Sequence, residues 1–261
     1  MQDSIEITRP APGVGLLTIS RPEKYNAIDP ATDHEIARAF AELDADAGVR
    51  CIVVTGAGNK AFCAGADIPE LLPHLKRNVA AGRDDPQFCG ITHRATTNKP
   101  VLAAINGVAL GGGLELALAC DMRIASASAR FGLPEIKVGV LAGGGGCTRL
   151  PRTIPAALAA EMILTGEPID ARRALEAGLI SQITAPDALI PRALEMAAVV
   201  ASRAPLSVRA CTALLRRARY DELQDALTDE RRAFAGVLLS RDADEGVRAF
   251  AEKRTPRYED R

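Results

Sequence analysis

Three consecutive glycines, Gly111 to Gly113, sit between two apolar runs in PVLAAINGVALGGGLELALACD, and they limit what the chain around them can fold into. Pro100 to Ile105 is short, apolar and bounded by Pro and Asn-Gly, which predicts a buried strand, whereas the equally apolar Leu114 to Cys120 suits a helix. Residues without a Cβ let another group come close to the backbone. A helix that starts at the glycines presents unpaired N–H groups and the positive end of its dipole, which together favour negative charge. One charged side chain, Glu115, interrupts the apolar run in that first turn. A carboxylate beside oriented donors points to acid–base chemistry next to an anion-stabilising pocket. A plainer reading fits the same residues: glycines that let strand and helix pack, and a glutamate that complements the dipole.

The flanking segments predict an α/β fold. Residues 4–9 and 14–20 surround a Pro-Ala-Pro-Gly turn and read as a hairpin. The polar segment RPEKYNAID, Arg21 to Asp29, ends in Asp29-Pro30, which can cap and open a helix with apolar positions Ile36, Phe40 and Leu43 and an end near Gly48. CIVVTG, Cys51 to Gly56, has the β-branched character of a strand buried on both faces. Gly56 to Ile68 then repeats the central design, a small-residue loop leading to a helix start near Asp67. Two such loops at the C-terminal ends of neighbouring strands can aim N–H groups at one point, where open α/β sheets bind ligands.

Residues 73–90 read as a mobile connection of weak helical character, followed by a helix from about Pro86 to Asn98. Beyond the central stretch, MRIA and RFG are extended pieces leading to Glu135, which follows Pro134 and is either a solvated loop carboxylate or a catalytic one. Gly143 to Gly146 form a turn or helix start. From Pro155 the chain is mainly helical, with an apolar piece at Leu179 to Ile183. Leu223, Leu227, Phe234 and Leu238 mark one face of a long helix, and Asp242 with Glu245 suggests a capping box for the last one. No internal repeat is visible.

Several function classes lose support. With a formal net charge of -1, the chain has no bulk attraction for nucleic acid or an anionic membrane, so any anion must be held by local features. The six cysteines, Cys51, Cys63, Cys89, Cys120, Cys147 and Cys211, form no CxxC pair and fit reduced thiols in a cytosolic protein. His34, His74 and His93 share no metal-ligand spacing. Serine-hydrolase, P-loop and dinucleotide fingerprints are absent, as are a signal-peptide core and a bilayer-length apolar run. A cytoplasmic protein without a resident metal is the expectation.

Taken in order, RPEKYNAID, AFCAGADI, KPVLAAINGVALGGGLELALACD, FGLPEIKVGV and AFAEKR resemble the enoyl-CoA hydratase/isomerase (crotonase) family, from about residue 5 to the end. The resemblance implies an α/β fold with a crotonase-like ββα spiral core, residues 1–195. It also implies a C-terminal helical part, residues 196–261, that forms homotrimers or hexamers made of two trimers. The implied substrates are acyl-CoA thioesters, with no cofactor beyond the CoA of the substrate. Matching positions give an oxyanion hole from the N–H groups of Ala66 and Gly112. Glu115 takes the role of water activation and Glu135 that of proton delivery. Lys24, Ala64, Asp67 and Ile68 fall where the CoA moiety passes, although Lys24 also reads as an ordinary surface lysine; Lys253 and Arg254 fall where a neighbour's nucleotide is reached, although a solvated tail is the stronger reading of that pair.

Both carboxylates favour reversible hydration of 2-enoyl-CoA, with a carnitinyl-CoA dehydratase or a double-bond isomerase as alternatives on the same fold. The chain departs from common short-chain hydratases at Val108 (Tyr there), at Leu133 (Gln there) and in AGGGGCTRL, Ala142 to Leu150, where PGAGGTQRL is usual. These departures bear on the acyl group rather than on the reaction. An RNA-binding or scaffold role, known for some members, would call for a basic stripe or aromatic platforms; this chain has balanced charge, no Trp and three Tyr.

Overall fold

The structure is a computed structural model that describes residues 4–82, 88–92, 97–218, 221, 234, 236 and 240–259. β1 (Ile5–Ala11) and β2 (Gly13–Ile19) form the expected antiparallel hairpin, and α1 (Pro30–Ala45) follows, capped by the Asp29 carboxylate on Thr32 N–H at 2.8 Å. The chain then passes three times from a strand of one sheet to a strand of another. β3 (Val49–Gly56) leads to β4 (Ala61–Cys63) and α2 (Ile68–Ala80); β5 (Val101–Ile105) leads to β6 (Val108–Leu110) and α3 (Gly112–Ala119). The third passage runs from β7 (Met122–Ser126) to β8 (Arg130–Gly132), a 3-10 turn at Pro134–Val138 and α4 (Gly146–Thr153). This repeat lies in the backbone path and not in the side chains, because each passage asks only for alternating apolar residues and small loops.

After α5 (Ala156–Thr165) come β9 (Ile169–Asp170), α6 (Ala171–Glu176), β10 (Ile183–Thr184), α7 (Leu189–Ala201), α8 (Pro205–Arg217) and α9 (Arg241–Ala251). The larger sheet has the order β1-β2-β3-β5-β7-β10, parallel from β2 onward, and the smaller has the order β4-β6-β8-β9, with β9 antiparallel. Alternation along β5 divides the interior. Val101, Ala103 and Ile105 join the main core with Phe40, Phe62 and Phe131, while Leu102 and Ala104 meet Leu189, Ala193 and Ala197 of α7 on the other face. Position 195, the expected domain boundary, therefore falls inside a helix that packs on the larger sheet.

Among the described residues no single helix is long and apolar enough to cross a membrane. The bent pair Pro186–Ala201 and Pro205–Arg217 passes on composition alone, but its first member spends its apolar face on the sheet.

Three local expectations need correction. Residues 73–80 are helical, because Leu71, Leu72, Leu75 and Asn78 turn one face of α2 inward while Pro73 stands on the exposed face. The helix expected from Pro86 to Asn98 is not formed in its described part; Phe88–Gly90 make one 3-10 turn, broken by left-handed Cys89 (φ 54) and Gly90 (φ 68). The cap of α9 is Ser240, whose hydroxyl accepts Ala243 N–H at 3.2 Å, and Glu245 instead pairs with Arg254 at 2.6 Å. Of the apolar face expected farther along, Leu223, Leu227 and Leu238 lie outside the described residues, and Phe234 is exposed.

Arg216 of α8 is bound to Asp121 by two bonds of 2.7 Å, and Asp121 also accepts Val101 N–H at 2.8 Å. Asp121→Ala would take the counter-charge from Arg216, which keeps only its bonds to the carbonyls of Thr97 and Lys99, and would unpair a strand amide in a half-buried place, costing about 2–4 kcal/mol. Urea unfolding should show that loss. A change under about 0.5 kcal/mol, the range of a neutral surface substitution, would contradict the anchoring role.

Candidate active site

Two backbone loops meet where the smaller sheet ends. β4 and β6 are parallel neighbours, so the loop after Cys63 and the turn after Leu110 emerge on the same side. Ile28 holds the first loop: its N–H donates to Gly65 O at 2.8 Å, and its carbonyl accepts Asp67 N–H at 2.7 Å. In this parallel bridge the residue between, Ala66, turns its own N–H away from Ile28. Gly112 opens α3, so its N–H has no acceptor within the helix. Gly111, which caps the helix, has φ 53 and ψ −127, a conformation closed to residues with a side chain. The loops abut: a Cβ placed on Gly65 would stand 3.0 Å from Gly112 N.

Glu115 lies one turn into α3 and is 4% exposed. Its Oε1 accepts Gly146 N–H at 2.8 Å, from the first turn of α4. The glycine loop before α4 wraps the carboxylate so closely that a Cβ on Gly144 would come 2.6 Å from Oε2. Burial pushes the Glu115 pKa up to about 7, against the pull of the Gly146 and Gly144 backbone and Arg149, and the neighbouring Glu135 adds to the rise. Arg149 also braces the loop, donating to Gly144 O at 3.3 Å.

Glu135, on the 3-10 turn after β8, reaches the same place from the other side. A Cβ on Gly111 would be 3.1 Å from its Oε1. Its Oε2 is buried and accepts no hydrogen bond among the described residues, and burial raises the pKa of this carboxyl as well. The start of α3 thus has the Gly65 loop against Gly112, Glu135 against Gly111, and Glu115 near enough to Glu135 to feel its charge. Two carboxyls that resist ionisation beside unpaired amides can hold and release a proton next to a developing anion.

The residues expected along the CoA moiety lie at the rim of the first loop. Lys24 is engaged by Asp67 at 2.9 Å and Glu70 at 3.0 Å, and hydrogen bonding to Asp67 and then Glu70 raises its pKa. The N–H groups of Ala64 and Asp67 already serve Tyr25 O and Ile28 O, and the Ile68 side chain is exposed. Asp29, Asp67 and Glu70 are close enough to share a cation, but Arg21 (2.7 Å from Asp29) and Lys24 already neutralise them.

Residues that sequence reasoning passed over complete the site. Asn106 staples the β3–β4 loop by donating to the carbonyls of Gly56, Gly58 and Ala61 at 2.8–3.0 Å, and its only sequence signal was the Asn-Gly pair. Phe88 abuts Gly112, and Gly144 makes room for Glu115. Phe88 carried no local pattern, and the glycine run around Gly144 read only as a turn or helix start.

This architecture, with paired carboxyls behind two converging amide loops, is that of a crotonase-fold enzyme of acyl-CoA thioesters. The chain belongs to the enoyl-CoA hydratase/isomerase family, whose sequence model matches residues 10–261. It is 41% identical over 245 residues to the (E)-benzylidenesuccinyl-CoA hydratase of Thauera aromatica, covering 94% of this chain and 95% of the relative. It is 39% identical over 249 residues to the carnitinyl-CoA dehydratase of Proteus mirabilis (strain HI4320), covering 94% of each. The crystal structure of enoyl-CoA hydratase from Bacillus anthracis superposes with a TM-score of 0.91 at 36% identity, covering 99% of this chain and 100% of that one.

The raised Glu115 pKa links the site to stability. Below pH 4.5, its ordinary value, the carboxyl is neutral folded or unfolded; from there to about 7 only the unfolded chain releases the proton, so native stability falls as pH rises. The whole loss amounts to roughly 3 kcal/mol. Glu115→Gln removes it, so the variant's stability relative to the parent should grow across that window and then level off. Urea titrations at several pH values would show this, and a constant difference from pH about 4 to about 8 would contradict the assignment.

Proposed function

We propose that the protein is an enoyl-CoA hydratase, adding water reversibly across the double bond of a 2-enoyl-CoA to give a 3-hydroxyacyl-CoA. The observation that carries this reading is the pair of carboxyls, buried Glu115 and half-buried Glu135, on two sides of the Gly111–Gly112 turn, both disfavouring ionisation. Water addition needs one carboxylate to take a proton from the nucleophile and one carboxylic acid to supply a proton to Cα.

In this mechanism the thioester oxygen accepts the N–H groups of Ala66 and Gly112, each worth a few kcal/mol as enolate charge develops. Glu115, held by the Gly146 amide, takes a proton from water as its oxygen attacks Cβ. Glu135, whose Oε2 accepts no hydrogen bond among the described residues, delivers a proton to Cα, discharging the enolate. The two carboxyls exchange protonation states, and the product carries both hydrogens of the water equivalent. No redox or metal step enters. The rim residues Lys24, Ala64, Asp67 and Ile68 are proposed for the CoA moiety, with Lys24 leaving Glu70 for a phosphate.

The relative named carnitinyl-CoA dehydratase supports a second reading, in which the same pair removes water from a 3-hydroxyacyl-CoA with a charged acyl group. Product analysis with crotonyl-CoA, 3-enoyl-CoA and crotonobetainyl-CoA separates hydratase, isomerase and dehydratase. With the preferred substrate, Glu115→Gln and Glu135→Gln should each lower kcat by about 10²–10⁴. Hydration at the parent rate by either variant would remove the two-carboxyl mechanism.

A further inference from the structure

Phe88 is an aromatic side chain that the mechanism does not use, yet its ring tip reaches the backbone of Gly112. A Cβ built on Gly112 would lie 2.3 Å from Phe88 Cε1 and 2.4 Å from Cζ, so the far edge of the ring stands in van der Waals contact with the Gly112 backbone. The backbone that carries the ring is clamped to α1. Cys89 N–H donates to Asp33 Oδ1 at 2.5 Å, and Cys89 is fully buried with φ 54. Gly90 lies so close to α1 that a Cβ there would be 2.6 Å from Ala37 Cα. The Thr92 hydroxyl donates to Phe88 O, and the ring packs on the main core. A side chain held in this way is a wall of the site.

We infer that Phe88 sets the upper size of the acyl group this site accepts. This rests on the reading in which Gly112 N–H holds the thioester oxygen. The carbon chain begins at the carbon bearing that oxygen, so it starts beside the Phe88 ring, while Glu135 stands against the adjoining Gly111. A chain extended past the alkene has to clear a ring whose backbone cannot retreat from α1. The site thus selects short 2-enoyl thioesters, and the selection comes from steric exclusion, which operates on binding before any bond changes.

The test measures binding and turnover separately. Calorimetry with the saturated analogues butyryl-CoA and decanoyl-CoA gives a Kd ratio that needs no chemistry, and the kcat/KM ratio of decenoyl-CoA to crotonyl-CoA gives the same selection under turnover. Phe88→Ala should shift both ratios toward the long chain by about tenfold or more, with Phe88→Leu between it and the parent. A melting curve of each variant identifies loss of packing on α1, which would weaken all chain lengths alike. Ratios unchanged within about twofold in both variants, or an equal loss for every length, would overturn the inference. A parent that discriminates by chain length in the calorimeter yet hydrates none of the thioesters would remove the hydratase reading alone, because the binding ratios still decide the role of Phe88.

Discussion

The contact between the Gly65 loop and the Gly111–Gly112 turn is the constraint on which the rest of the structure depends. Each loop continues a strand of the smaller sheet, and parallel pairing of those strands delivers both to one edge. Ile28 fixes the first loop from the far side by taking both bonds of the bridge, which turns the Ala66 amide away from Ile28. The start of α3 fixes the second, because the first N–H of a helix has no partner within it. The donors exist only because these backbones approach more closely than residues with side chains allow.

The carboxyls follow from that frame. α3 is buried around its whole first turn, so the one acid on it is removed from water and resists ionisation, while the glycine loop of α4 returns backbone donors, Gly146 N–H first among them. Glu135 arrives on a separate turn with a buried oxygen that nothing in the described residues satisfies. Two like charges cannot be held cheaply at this separation from solvent, so the pair keeps a proton near neutrality. Acid–base capacity is thus a consequence of burial, and the proposed reaction uses the proton that burial retains.

The centre of the site was legible in the sequence because glycines and an isolated acid in an apolar run are local signals. β5 and α3 could be read from Pro100 to Asp121 for that reason, as could the Asp29 cap of α1, whereas β6 was not. The course of α2 was not, since Pro73 breaks the local pattern and the helix is held by an inward face of buried Leu71 with half-buried Leu72, Leu75 and Asn78. The turn at Phe88 was equally hidden: its conformation comes from α1, through Asp33 and Ala37, more than fifty residues earlier in the chain. Glu135 could be noticed but not assigned, because what makes it chemical is its distance from Gly111, and distance between separate loops has no sequence periodicity. The five ordered motifs carried a family resemblance, whereas the side chains that would choose an acyl group arise from tertiary contacts.

The most direct measurement is a crystal structure with a non-reacting acyl-CoA thioester, such as butyryl-CoA, bound in the site. The account requires the thioester oxygen to lie about 2.7–3.1 Å from the backbone nitrogens of both Ala66 and Gly112, with the Glu115 and Glu135 carboxyls over the first two acyl carbons. A thioester oxygen bonded to neither amide, or bound with either carboxyl turned out to solvent, would contradict it.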